Sequence, residues 1–161
     1  MNILKLELTH FGKFHLKTIT FTSGLNIVYG KNEAGKSTIH AFVRSMLFGI
    51  PDTEEGNERY SHYLPWETPH DFCGRMWIKK DDKVYRIERN FLRPQPTVRI
   101  FDDETDESLQ PAKQHLRQIL SGLTETSYLN TICIEQLKSA TDPQLAKELE
   151  DMQSMLVRAK I

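Results

Sequence analysis

No run in this 161-residue sequence approaches the length of a membrane span, so a spanning helix is not expected. The opening residues, Met1-Asn2-Ile3-Leu4-Lys5, lack the pattern of a secretory signal. Cysteine is scarce. Cys73 and Cys133 stand isolated, which argues against a disulfide scaffold and reads as two buried thiols in a reducing compartment, the cytoplasm. Neither charge sign dominates: 21 Lys and Arg against 22 Asp and Glu leave a net charge of −1. Net charge thus gives no global argument for nucleic acid, and any such surface must be a local patch. The six histidines show no metal-ligand spacing, although His62, His70 and Cys73 fall in one stretch. No internal repeat or low-complexity segment is visible. With 39% hydrophobic and 27% charged residues, the sequence reads as one globular domain of ordinary size.

What is present is concentrated near the N-terminus. Gly30-Lys31-Asn32-Glu33-Ala34-Gly35-Lys36-Ser37-Thr38 matches G-x-x-x-x-G-K-S/T, the phosphate-binding P-loop. Turning backbone amides toward phosphate oxygens needs dihedrals that glycine adopts cheaply, which accounts for Gly30 and Gly35. The N–H groups form an anion nest, and the following helix adds its positive end. By this pattern Lys36 reaches the β- and γ-phosphates, Ser37 ligates Mg²⁺ and Thr38 contacts the α-phosphate of a nucleoside triphosphate such as ATP. Glu33 reads as a loop-tip residue. The apolar run Leu25-Asn26-Ile27-Val28-Tyr29 predicts a strand leading in. Ile39, Phe42, Val43, Met46 and Leu47 recur at helical spacing and predict a helix leading out. Gly49 is its expected C-cap, with Pro51 blocking continuation.

Elsewhere the pattern predicts a half-buried strand over residues 2–9, with Leu4, Leu6 and Leu8 on one side. A turn follows at Phe11-Gly12-Lys13-Phe14, then a second strand over residues 14–21. Residues 51–71, rich in proline, charge and aromatics, read as a long loop. Residues 73–80 and 83–91 flank Asp81-Asp82 and predict a β-hairpin. A further strand is expected at 97–101, an acidic turn at 102–107, and a helix from Pro111 carrying Ala112, Leu116, Ile119 and Leu120. Residues 125–130 predict a short helix, and Thr131-Ile132-Cys133-Ile134 a buried strand delivering Glu135 and Gln136. From Asp142-Pro143 onward, Leu145, Leu149, Met152, Leu156 and Ala159 follow heptad spacing. That pattern fits a coiled-coil start or an amphipathic helix on the domain itself. Trp66 and Trp77 read as core or interface residues rather than base-stacking platforms.

A complete P-loop ATPase also needs an acid at the end of another core strand. The one apolar run of that kind ends at Glu135. Leu120-Ser121-Gly122-Leu123 reads as a helix C-terminus and not as a signature motif, because Ser121 lies too close to Glu135. No Asn-Lys-x-Asp guanine-recognition motif is present.

Phe11-Gly12-Lys13-Phe14, the stretch from Gly24 to Thr38, and Met46-Leu47-Phe48-Gly49 together resemble the N-terminal half-head of SbcC-like and SMC-like ATPases, especially of the bacterial YhaN type. Asn-Glu-Ala inside the glycine-rich loop and Leu-Phe-Gly closing its helix carry the likeness. Gly74-Arg75 with Tyr85-Arg86-Ile87-Glu88-Arg89, and residues 128–137, extend it. The resemblance implies an α/β fold, the N-terminal lobe of a P-loop NTPase. It would hold a mixed sheet around the P-loop helix, an antiparallel hairpin region, and a terminal coiled-coil start. Residues 1–141 would be the lobe and 142–161 the coil. Gln136 would be the Q-loop glutamine, catalytic and a Mg²⁺ ligand. A C-terminal lobe would supply the signature motif, Walker B acid and switch histidine. Two heads, as a homodimer, would sandwich ATP. DNA and an SbcD-like nuclease are the implied partners, and no membrane.

Two residue-level expectations accompany this reading. Lys13 either reaches the phosphates or ribose from the first turn, or is a solvated lysine. Arg75, Lys79, Lys80, Lys83, Arg86, Arg89 and Arg93 either line a DNA-facing groove or form a solvated face with internal ion pairs. The isolated chain is expected to bind ATP weakly and turn it over negligibly. The competing functions are a non-hydrolysing regulatory or docking module and a small-molecule kinase, for which no Arg-rich lid is visible.

Overall fold

The computed structural model describes residues 1–31 and 33–132. The described residues fall into two units, Met1–Gly122 and the start of Leu123–Ile161. The first is a mixed α/β unit built on a five-stranded antiparallel sheet. Its strands are β1 (Asn2–Phe11), β2 (Phe14–Thr20), β3 (Cys73–Lys80), β4 (Lys83–Asn90) and β5 (Thr97–Asp102), ordered β2-β1-β3-β4-β5. The expected mixed sheet is therefore corrected: every pairing among the described residues is antiparallel.

Period-two alternation sets the core face. Leu6 and Leu8 of β1, Met76 and Ile78 of β3, Ile87 of β4 and Ile100 of β5 are fully buried. The β3–β4 hairpin forms as its turn residues require, with Asp81 and Asp82 both at positive φ (50° and 63°). Helix α1 (Lys36–Phe48) packs on β1, β3 and β4 through Phe42, Met46 and Leu47. Its close approach depends on Gly74, where a Cβ would stand 2.4 Å from Phe42 Cε2. Phe11 centres an aromatic cluster, with ring centroids 5.1 Å from Phe42, 5.2 Å from Phe72, 5.3 Å from Tyr63 and 5.6 Å from Phe91.

Residues 51–71 are not one long loop. They contain α2 (Glu54–Tyr63), whose low apolar content hid it. The helix starts where Thr53 Oγ1 accepts from the Gly56 amide at 3.2 Å, with Glu54 and Glu55 in the first turn. Glu55 pairs with Arg44 of α1 at 2.6 Å, which lowers its carboxyl below the ordinary value. Helix α3 (Ala112–Ile119) packs on β5 and buries Ala112, Leu116 and Ile119. Ser121 and Gly122 follow it at positive φ, the helix C-terminus expected there.

In the second unit, α4 (Glu125–Ser127) runs into a π-helical turn, α5 (Tyr128–Ile132). Thr131 and Ile132 thus belong to a helical turn, with Ile132 60% exposed, and not to a buried strand. Local helical bonds prevail, with the Thr131 hydroxyl donating to Ser127 O at 2.6 Å. Cys133, Glu135, Gln136 and the heptad seam lie outside the described residues. No helix among the described residues is long and apolar enough to cross a membrane.

A candidate phosphate-binding loop and the turn that braces it

Gly35 precedes α1 at φ 101°, and Glu33 sits at φ 66°, so the chain winds through left-handed conformations just before the helix. Such successive amides make an anion-binding concavity, closed by a helix N-terminus. Ala34 N donates to Lys31 O at 3.1 Å and Ile39 N to Gly35 O at 3.0 Å, which shape the loop and start the helix. Lys36 leaves the first turn exposed and folds back, its Nζ donating to Gly30 O at 2.7 Å and Lys31 O at 3.0 Å. Ser37 is exposed beside it and Thr38 half-buried. These groups fit a polyphosphate with a hard cation, since they offer amides, an ammonium and a hydroxyl at one mouth. Asn32 lies outside the described residues.

The β1–β2 turn braces this loop. A Cβ on Gly35 would stand 2.4 Å from Phe14 Cζ and 3.4 Å from Lys13 Cδ. Lys13 Nζ donates to Glu33 O. A Cβ on Gly12 would stand 3.0 Å from Thr38 Cγ2. Lys13 is exposed and contacts the loop's backbone. The sequence held no direct signal for Phe14, whose role comes from packing on a glycine far along the chain.

The run before the loop differs from expectation. Residues 25–29 form no strand, and Leu25, Ile27 and Tyr29 are 69%, 71% and 90% exposed. A strand needs a neighbour to take its backbone groups. β1 is already paired on both sides, by β2 and β3. Asn26 instead turns inward on its own segment, accepting from Thr22 N and donating to Thr22 O, both at 2.9 Å.

The basic residues of 75–93 do not line a groove of uncompensated charge. Arg75 meets Glu7 and Glu88, Lys79 meets Asp82, Lys83 meets Asp102, and Arg93 meets Asp52. Arg86 holds Glu88, Asp103 and Asp106. Lys80 donates to Gln118 O and Ser121 Oγ. Arg89 is half-buried against α1, donating to Met46 O at 2.7 Å and Leu47 O at 3.3 Å, and desolvation lowers its pKa to about 10. Cross-strand pairing put acids of β1, β4 and the β5 turn beside these bases, which a linear charge count cannot see.

Cys73 is half-buried and free, its thiol pushed up by burial and by Asp71. No group of three or more His, Cys, Asp or Glu residues poised for a metal exists among the described residues. Trp77 is half-buried, while Trp66 is 91% exposed and so no core residue.

A P-loop-like cradle on an α/β sheet is the mark of nucleotide-binding domains, and the comparison with known families agrees. The AAA domain family matches residues 1–161, and the chain belongs to it. Its likeness to the N-terminal region of SbcC- and SMC-like ATPases stands with two relatives. An uncharacterized protein, YhaN of Bacillus subtilis (strain 168), is 43% identical over 56 residues, 34% of this chain and 6% of that protein. The DNA double-strand break repair Rad50 ATPase of Thermococcus kodakarensis is 26% identical over 146 residues, 84% of this chain and 15% of that protein. The chain thus spans a small fraction of the curated relatives it matches.

Proposed function

We propose that this chain is the ATP-binding N-terminal lobe of an SbcC/SMC-like ATPase, with ATP and Mg²⁺ held at residues 30–38. Lys36 would leave the Gly30 and Lys31 carbonyls for the β- and γ-phosphates. Ser37 would hold the cation, and Lys13, already at Glu33 O, would add charge at the loop's edge. The observation that carries the reading is the exposed apolar run at 25–29 directly before the cradle. Its backbone and side chains fit a strand awaiting a partner, which a C-terminal lobe would supply. Residues 1–141 would then be the lobe and 142–161 the coil. Gln136 would sense the γ-phosphate, and two heads would close on ATP as a homodimer.

DNA repair is the setting that the Rad50 relative supports. DNA and an SbcD-like nuclease as partners, and the cytoplasm as location, belong to the same proposal by family resemblance. A regulatory lobe that binds nucleotide without hydrolysing it is the second reading, in keeping with Lys36 Nζ bonding two backbone carbonyls, those of Gly30 and Lys31. The test is Mg-ATP binding and hydrolysis by this chain alone and mixed with the C-terminal portion of the same protein. Weak binding and negligible turnover alone, with activity on mixing that Lys36→Ala abolishes, are expected. Robust turnover by the isolated chain would sink the split-head reading.

A further inference from the structure

His10 and His15 face each other across the first hairpin, as register partners of β1 and β2. Their Nδ1 atoms lie 3.2 Å apart, with ring centroids at 4.5 Å and ring planes at 66°. Thr68 Oγ1 reaches the same His10 nitrogen at 3.0 Å. A ring nitrogen offers one lone pair or one hydrogen, so it serves one such partner well and not two. His10 is half-buried and His15 exposed. The mounting is firm. Gly12 N donates to Tyr63 O at 2.7 Å, which holds the segment leading to Thr68 against the β1–β2 turn, and Pro65 in that segment is buried.

Donor atoms gathered around one nitrogen in this way are what a cation needs. Two nitrogens bound at about 2.0–2.1 Å to a tetrahedral ion stand about 3.3 Å from each other, close to the separation of this pair. The pair lines a shallow cleft of about 90 Å³ together with Glu67 and Thr68, which leaves room for the ion's remaining water ligands. Lys13 lines the same cleft, with its ammonium at Glu33 O. Imidazole nitrogen suits late first-row divalent ions, whereas Mg²⁺ and Ca²⁺ take oxygen.

We propose that His10 and His15 form a two-histidine site for a late divalent transition-metal ion such as Zn²⁺, bound through both Nδ1 atoms, with the Thr68 hydroxyl bonding a water on the ion. The ion would staple β1 to β2 next to the turn whose Lys13 and Phe14 brace residues 33–35. The site stands independently of any nucleotide. It is smaller than a three-residue cluster, and linear spacing hides it, because only the hairpin register sets these two residues face to face.

Calorimetric titration of the chain with Zn²⁺ in a weakly coordinating neutral buffer, with nitrogen NMR of the imidazoles, tests it. One ion should bind more tightly than about 0.1 mM, and the Nδ1 signals of His10 and His15 should shift more than their Nε2 signals. His10→Ala and His15→Ala should each weaken binding about tenfold or more, and Thr68→Val by up to about tenfold. His62→Ala with His70→Ala should leave it unchanged. Zinc should raise the melting temperature of the parent and not that of His10→Ala with His15→Ala. The imidazole shifts of the parent decide the matter even where a variant folds poorly. Unchanged zinc affinity in the double variant, shifts confined to other histidines, or binding only at millimolar zinc (an adventitious ion only) overturns the proposal.

Discussion

The Phe14 ring lies against Gly35, so closely that a Cβ at position 35 would stand 2.4 Å from Cζ and 2.8 Å from Cε2. Two demands thus meet at one glycine: a left-handed φ of 101° and room for a ring from the first hairpin. Gly35→Ala should cost about 1–3 kcal/mol in backbone strain alone. Nucleotide affinity should fall with it. Adding Phe14→Leu relieves the clash and leaves the strain, so melting should recover in part and ATP binding should not. Calorimetry and thermal melting separate the two.

Gly74 lets α1 lie on the sheet. A Cβ there would meet Phe42 at 2.4 Å and Glu7 O at 2.8 Å, and Phe42 is fully buried with nowhere to retreat. Gly74→Ala should destabilise the unit by about 1–3 kcal/mol. Urea unfolding measures this. Gly74→Ala with Phe42→Leu should regain stability over the single variant.

Arg89 joins β4 to the end of α1 through the Met46 and Leu47 carbonyls. Arg89→Leu leaves both acceptors without that partner, at about 1–3 kcal/mol for a buried group. Hydrogen exchange should rise at the C-terminal turn of α1 more than in β2. Uniform exchange across both elements would show that Arg89 is not a local tie.

Glu55 carries a pH dependence. The bond from Arg44 lowers its carboxyl below the ordinary 4.5. The stabilisation is therefore present above about 4.5 and lost as pH falls through the lower folded value. Since Glu55 is 70% exposed, the effect should stay below about 1 kcal/mol and shrink in salt. Glu55→Gln should melt lower than the parent at neutral pH, and the gap should close as pH falls below the ordinary carboxylate value.

The antiparallel hairpins, α1 and α3 were legible because periodicity and turn chemistry are local. Leu6 and Leu8 alternate, Asp81-Asp82 turns, and Phe42, Met46 and Leu47 share a helix face. The phosphate-loop pattern was legible for the same reason: its amides and Lys36 are set by a few consecutive residues. Helix α2 was hidden, since its packing face is polar and aromatic and its start rests on one Thr53 bond.

What the tertiary structure decided is pairing at a distance. The bases of β3 and β4 read as a patch until their cross-strand acids were placed beside them. Residues 25–29 have a strand's composition and no strand, because hydrogen-bonding neighbours come from the sheet and not from the segment. Sequence alone determined the cradle at residues 30–38. Only folding set Phe14 on Gly35 and left Trp66 exposed, since contacts between distant segments depend on how the sheet brings them together.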